Sequence, residues 1–205
     1  MKWATADNEG MLAIMKKTLF LALPALALLA ACSHKNEQQQ QAQAEPTFHD
    51  VMKDQVDKHA DEVWDDTNAA VGDKGGLDPA KMTDDMWKKL AEDATAVQEG
   101  AQQIAQMDKI VVIKPGETIA DAGVPGGHSA AEVQAGIDKN PQGLRDHAAN
   151  LAATMGDLVK AANAHDAAKA GPIVDSLDGV CEGCHLDYWY PDQKALVEKI
   201  IKENK

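Results

Sequence analysis

Residues 140–162 read NPQGLRDHAANLAATMGDLVKAA. Asn140 followed by Pro141 is a helix start, a side-chain cap and then a residue whose missing N–H costs nothing in the first turn. Beyond them Leu144, Ala148, Leu151, Met155, Leu158 and Ala162 step by four and three alternately. That spacing makes one apolar seam along a helix, the pattern of an antiparallel bundle.

Working outward, the same period recurs on both sides. Ser129 with Glu132 forms a capping box that opens a brief helix through Ile137. After the seam, a last helix begins near Asp166 and carries Ala170, Ile173, Leu177, Cys181, Cys184 and Tyr188 on one face. Gly171-Pro172 is expected to kink its first turns or delay its start. Tyr188-Trp189-Tyr190-Pro191 ends it, and DQKALVEKIIKENK reads as a short amphipathic terminal helix. Upstream, Thr47 caps a first helix with Phe48, Met52, Val56, His59 and Val63 inward, running to about residue 69. Gly72, Gly75 and Gly76 break it, and Asp78-Pro79 are expected to restart the chain as cap and first residue of a second helix. Met82, Met86, Leu90, Ala94, Val97, Ala101 and Ile104 lie on one side of that helix. Residues 109–127 form a long link whose IVVI stretch could be a strand, though no partner strand is visible.

The expected fold is all-α, an antiparallel four-helix bundle with a short C-terminal helix, occupying residues 47–205. Composition agrees: 44% apolar but only 4% aromatic, rich in Ala and poor in β-branched runs. So few aromatics leave a core of Ala, Val, Leu and Met, which a bound apolar cofactor would fill out. The net charge of −13 makes a nucleic-acid binder an unsuitable reading. The acidic exterior either steers a basic protein partner or is simply a well-solvated helix surface.

From Met15 the chain reads MKKTLFLALPALALLAAC. A positive start, a short apolar run and small residues before Cys32 make a secretory signal over residues 1–31 rather than a membrane span. Asp7 and Glu9 suit such a signal poorly, so Met15 is a candidate initiator and residues 1–14 are dispensable. Leu29-Ala30-Ala31-Cys32 resembles a bacterial lipobox, which implies cleavage before Cys32 and its lipidation. Residues 32–46 are then the lipidated Cys and a Gln-rich flexible tether, of about 14 residues and roughly 20 Å in r.m.s. span. The expected location is the periplasm, on a membrane through acylated Cys32. Ser33 resembles the signal for the outer membrane.

C-E-G-C-H at 181–185 carries the chemistry. Two thiols three residues apart on a helical turn can add to the two vinyl groups of one haem, while the adjacent imidazole reaches the iron. Cys181 and Cys184 are therefore the covalent haem c sites and His185 the proximal iron ligand. Three other readings compete: a thioredoxin-like pair, which wants a βαβ context; a structural zinc site borrowing His128, His147 or His165; and a strained disulfide. With Cys32 lipidated, haem attachment accounts for every cysteine in the chain.

An exported four-helix pattern with C-x-x-C-H near the end of the last helix resembles the cytochrome c′ and cytochrome c-556 family, over roughly residues 47–190. In that family an aromatic and then a basic residue follow the motif. Here the matching positions are Tyr188 and Trp189, so the basic residue is missing. The His-Asp-Val-Met-Lys stretch at 49–53 also resembles the family, placing Met52 where members carry either Met or a nonligating apolar residue facing the iron. The resemblance allows a homodimer through the first two helices, although no stripe demands one.

Geometry bears on the sixth ligand too. In an up-down-up-down bundle the start of the first helix lies beside the end of the last, so Met52 and His185 sit at matching heights. Met52 is read as a distal ligand, against an ordinary core methionine. His59 lies about 10 Å further along the axis and is read as a satisfied core or boundary residue, His49 as a surface one. Met82, Met86 and Met155 are most simply core, and Trp64, Trp87 and Trp189 are candidates to pack near a haem.

The expected function is single-electron transfer in the bacterial cell envelope, with a periplasmic or membrane redox protein as partner and no substrate transformed. Two alternatives stand beside it: a five-coordinate haem protein that binds a small gas such as NO or CO, and a noncatalytic envelope lipoprotein. No acid and base pair for peroxidase-like catalysis is identifiable.

Overall fold

The structure, a computed structural model, describes residues 45–120, 122–124 and 126–203. The stretch read as a secretory signal, Cys32 and most of the expected tether lie outside the described residues. Residues 44–205 form one compact unit.

The first helix starts where its cap dictates. Thr47 accepts from the Asp50 N–H at 3.2 Å while the Asp50 carboxylate accepts from the Thr47 N–H at 2.9 Å, a reciprocal capping box. It is not one continuous α-helix. Helix α1 (Phe48–Val51) gives way to a π-helical segment (Met52–Asp57) and then to α2 (Lys58–Asn68). The segment sits against Gly100 of the next helix, where a Cβ would lie 3.0 Å from Val56 Cγ2. Any side chain there would press on Val56 and Gln55.

Helix α3 (Asp84–Ala105) begins five residues later than Asp78-Pro79 would place it. Asp78 instead caps a turn, its carboxylate accepting from the Ala80 N–H at 2.9 Å, and Thr83 caps the helix by accepting from the Met86 N–H. Thr83 wins because Asp84 and Asp85 follow it, placing negative charge at the positive end of the helix dipole. Met82 precedes the helix yet is buried, and Trp87, rather than Met86, joins Leu90 in the interior.

The link after α3 contains no strand. Among the described residues the one β pairing recorded is an isolated bridge between Val71 and Leu77. Ile110, Val112 and Ile119 are buried, and the backbone is satisfied by other means. The Phe48 and His49 N–H groups, orphans of a helix start, donate to the Val111 and Val112 carbonyls at 2.8 and 3.0 Å. Gln134 completes the clasp, accepting from Val112 N–H at 2.9 Å and donating to the Ile110 carbonyl at 3.0 Å.

Helix α4 (Ala130–Lys139) opens on the expected Ser129–Glu132 capping box, and α5 (Pro141–Asn163) opens on Asn140 with Pro141 in its first turn. Helix α6 (Ala167–Cys184) is capped by Asp166 and runs through Pro172 without a delayed start. It closes tightly on the Gly72–Leu77 loop, where a Cβ at Gly171 would lie 2.9 Å from the Leu77 nitrogen. A second π-helical segment (His185–Trp189) follows, then a 3-10 turn (Pro191–Gln193) and α7 (Lys194–Glu203).

Packing is centred on the α3–α5 pair, with α2 laid on α3 and α6 on α5. Val63, Leu90, Ala94, Val97, Met155, Leu158 and Leu177 are fully enclosed. The fold is thus the all-α bundle expected. Helices α2 and α6 pack little on one another, and the space between them is the site.

Candidate haem site

A cavity of about 640 Å³ is walled by the first helix, α5 and the end of α6. Its size falls within the range of ligand-holding pockets, and its walls are mostly apolar. Phe48, Met52, Val56, Ala60 and Trp64 line one side, each four residues after the last. Four residues of α-helix overshoot a full turn by about 40°, so such a stripe would drift around the helix. The wider π turn undershoots, and the segment at Met52–Asp57 brings the stripe back.

The wall formed by the end of α6 carries Cys181, Cys184 and His185. The cysteines share one turn at the end of α6, and His185 is the first residue of the second π-helical segment. The two cysteines form no disulfide, and both are partly exposed along the wall. Burial, then the nearby carboxylates of Asp178 and Asp57, pushes the Cys181 thiol up to about 11. Burial and the Asp187 charge push Cys184 up to about 12. Before haem is attached, both would therefore be protonated thiols at neutral pH. The four residues singled out in the sequence, Met52, Cys181, Cys184 and His185, therefore line one cavity. Cys32, the fifth, lies outside the described residues.

The segment after His185 is held from three directions. The Tyr190 N–H donates to the His185 carbonyl at 2.7 Å, closing the π turn, and the Tyr190 ring meets the imidazole edge-on at 6.4 Å. Tyr188 is buried and donates its hydroxyl to the Asn140 carbonyl at 2.8 Å, tying this segment to the α4–α5 junction. Asp187 accepts from Lys194 Nζ at 2.6 Å and from His147 Nε2 at 2.8 Å. These two partners, Lys194 foremost, hold its carboxyl below the usual carboxylate range.

Several placements differ from the sequence reading. His49 is a half-buried wall residue rather than a surface one, because its backbone is pinned to the link at Val112. His147 also lines the cavity, and sequence reasoning passed over it except as a zinc ligand. Its signal was present: it falls three residues after Leu144 and four before Leu151, on the cavity-facing stripe. Trp64 and Trp189 line the cavity, but Trp87 stacks on His165 at 5.4 Å beside a separate depression. His59 lies outside the cavity wall, its Nδ1 2.6 Å from Asp93 Oδ1. Among the described residues no three His, Cys, Asp or Glu side chains converge as a metal-binding cluster, so the zinc arrangement is not formed.

The donor set fits a haem. Two thiols and an imidazole occupy one wall, a thioether stands in the first-helix wall, and the remainder is apolar. Comparison with known proteins agrees: the family model described as Cytochrome C' matches residues 76–189. That span runs from the loop before α3 to Trp189. The helix that bears Met52 precedes it. No curated protein matches the chain, and no solved structure does.

Proposed function

The chain belongs to the cytochrome c′ family and is a haem-binding c-type cytochrome, and from that premise we propose that it carries single electrons in the bacterial cell envelope through one covalently held haem. Cys181 and Cys184 would hold the group by thioether bonds, with His185 and Met52 as axial ligands. When bound, the haem supplies a one-electron couple, and a Met ligand raises its reduction potential. The observation that carries this reading is the shared cavity, with the C-x-x-C-H residues on one wall and Met52 on another.

The chain's own residues do the rest. Phe48, Val56, Trp64 and Leu151 give the cavity an apolar lining that disfavours water. The Tyr188–Asn140 and Asp187–Lys194 bonds fix the segment that presents His185. No substrate is transformed, so this is not an enzyme. A periplasmic or membrane redox protein is the partner. Leu29-Ala30-Ala31-Cys32 supports export and a lipid anchor at Cys32, on the outer membrane by the reading of Ser33.

Optical and magnetic spectra of the purified holoprotein test the axial pair. The expected result is a low-spin, six-coordinate iron that becomes high-spin in Met52→Ala. A high-spin, five-coordinate wild type that Met52→Ala leaves unchanged would contradict electron transfer through a His–Met iron. That result would assign the cavity to a small gas such as NO or CO.

A further inference from the structure

Helix α7 has no buried residue. Leu196, Ile200 and Ile201 are 61, 47 and 49% exposed, and with Val197 they share one side of the helix at spacings of four. Residues 194–205 hold four lysines against Glu198 and Glu203, a net charge of plus two in a chain of −13. A basic amphipathic helix on an otherwise acidic protein is the pattern of a segment lying on an anionic lipid surface.

Position strengthens the case. The rings of Phe48 and Trp189 stand 6.5 Å apart, so the chain enters the bundle beside the point from which α7 departs. The Lys194–Asp187 bond at 2.6 Å keeps the base of α7 at that same pole. Any tether arriving at Thr47 from a bilayer therefore delivers α7 to that bilayer. Phe48, Trp189 and Tyr190 also line the cavity, so the pole that would face lipid is the one at which the cavity lies.

We propose that α7 is a second membrane contact, which lays its Leu196–Ile201 face on anionic phospholipid and orients the cavity end of the bundle toward the bilayer. The setting rests on the reading of Cys32 as a lipid anchor. That anchor makes a weak contact sufficient, because a short flexible tether holds its cargo at millimolar effective concentration. Elsewhere the acidic exterior is repelled by the same lipid, which leaves a single favoured orientation.

The test is made independent of acylation. The mature haem-loaded chain, with a polyhistidine tag in place of Cys32, is held on phosphatidylcholine vesicles through nickel-chelating lipid, with or without phosphatidylglycerol. Amide hydrogen exchange of residues 194–203 is followed. Exchange is expected to slow about tenfold when phosphatidylglycerol is present. The Leu196→Asp/Ile201→Asp variant should lose that protection while keeping its haem spectrum. Equal exchange on both vesicles and in free solution would overturn the proposal. So would protection that appears without vesicles and grows with protein concentration, since that makes the face a contact between two copies. Acylation of Cys32 is read separately, from the mass of the protein recovered from the envelope. An unmodified Cys32 there refutes the anchor and leaves the α7 measurement standing.

Discussion

The fold makes Asp66 of α2 harder to ionise than an ordinary carboxyl. Its Oδ2 is buried without a hydrogen-bond partner, and burial followed by the neighbouring Asp93 carboxyl pushes the group up to about 6 from 3.8. The Asp93 carboxylate already lies 2.6 Å from His59 and accepts a hydrogen bond from Asp66 only when Asp66 is protonated. A raised acid stabilises the fold fully below its unfolded value, and that contribution is lost as pH rises through the folded one. The window here runs from about 4 to about 6. Two units at 1.36 kcal/mol each set a ceiling near 3 kcal/mol, and solvent screening at this half-buried site reduces it to about 1–2 kcal/mol. Asp66→Asn removes the charge and offers Asp93 a permanent donor. The variant should therefore be more stable than wild type at pH 8 by about 1–2 kcal/mol, or about 4 °C in Tm for a domain of this size. Thermal melts of both holoproteins by circular dichroism at pH 5 and pH 8 read the effect. The gap between the two should shrink at pH 5. A variant less stable than wild type at pH 8, or a gap independent of pH, would refute the assignment.

Two further outcomes follow from the cavity wall. In haem-free chain at pH 8 the Cys181 and Cys184 thiols should alkylate about a hundredfold and a thousandfold more slowly than an ordinary cysteine, in proportion to their thiolate fractions, and faster with each rise in pH. Iodoacetamide trapping with peptide mass spectrometry measures this, and rates within tenfold of a free thiol would contradict the shifts. At the base of α5, a Cβ on Gly143 would lie 2.5 Å from the Tyr188 hydroxyl and press on the Asn140 side chain. Tyr188→Phe should cost about 1 kcal/mol and Gly143→Ala about 2–3 kcal/mol in urea unfolding, because the second breaks the same hydrogen bond and adds overlap. A neutral Gly143→Ala would show that the Tyr188–Asn140 bond does not hold that segment.

Much of this was legible in the sequence because caps are local. Thr47, Ser129, Asn140 and Asp166 each satisfy orphan N–H groups within three residues, so position alone reveals them. The C-x-x-C-H residues were legible for the same reason, since one helical turn sets their geometry. The start of α3 was not, because Asp78-Pro79 and Thr83 are both competent signals and the choice falls to the charge that follows. The π-helical segments were also hidden. A spacing of four suits both helix types, and only packing against Gly100 and closure at Tyr190 distinguish them. The placement of His49 depends on hydrogen bonds to a link more than sixty residues away in sequence.

The central claim is that Cys181, Cys184 and His185 hold one haem in the cavity between α2 and α6. The intact mass of the mature protein, made in a host that attaches haem in its envelope, tests it most directly. The account predicts the chain plus one haem, stable to acid extraction, with attachment lost in Cys181→Ser/Cys184→Ser. An exported, folded chain at its bare polypeptide mass, or a haem that acid extraction removes, would contradict it.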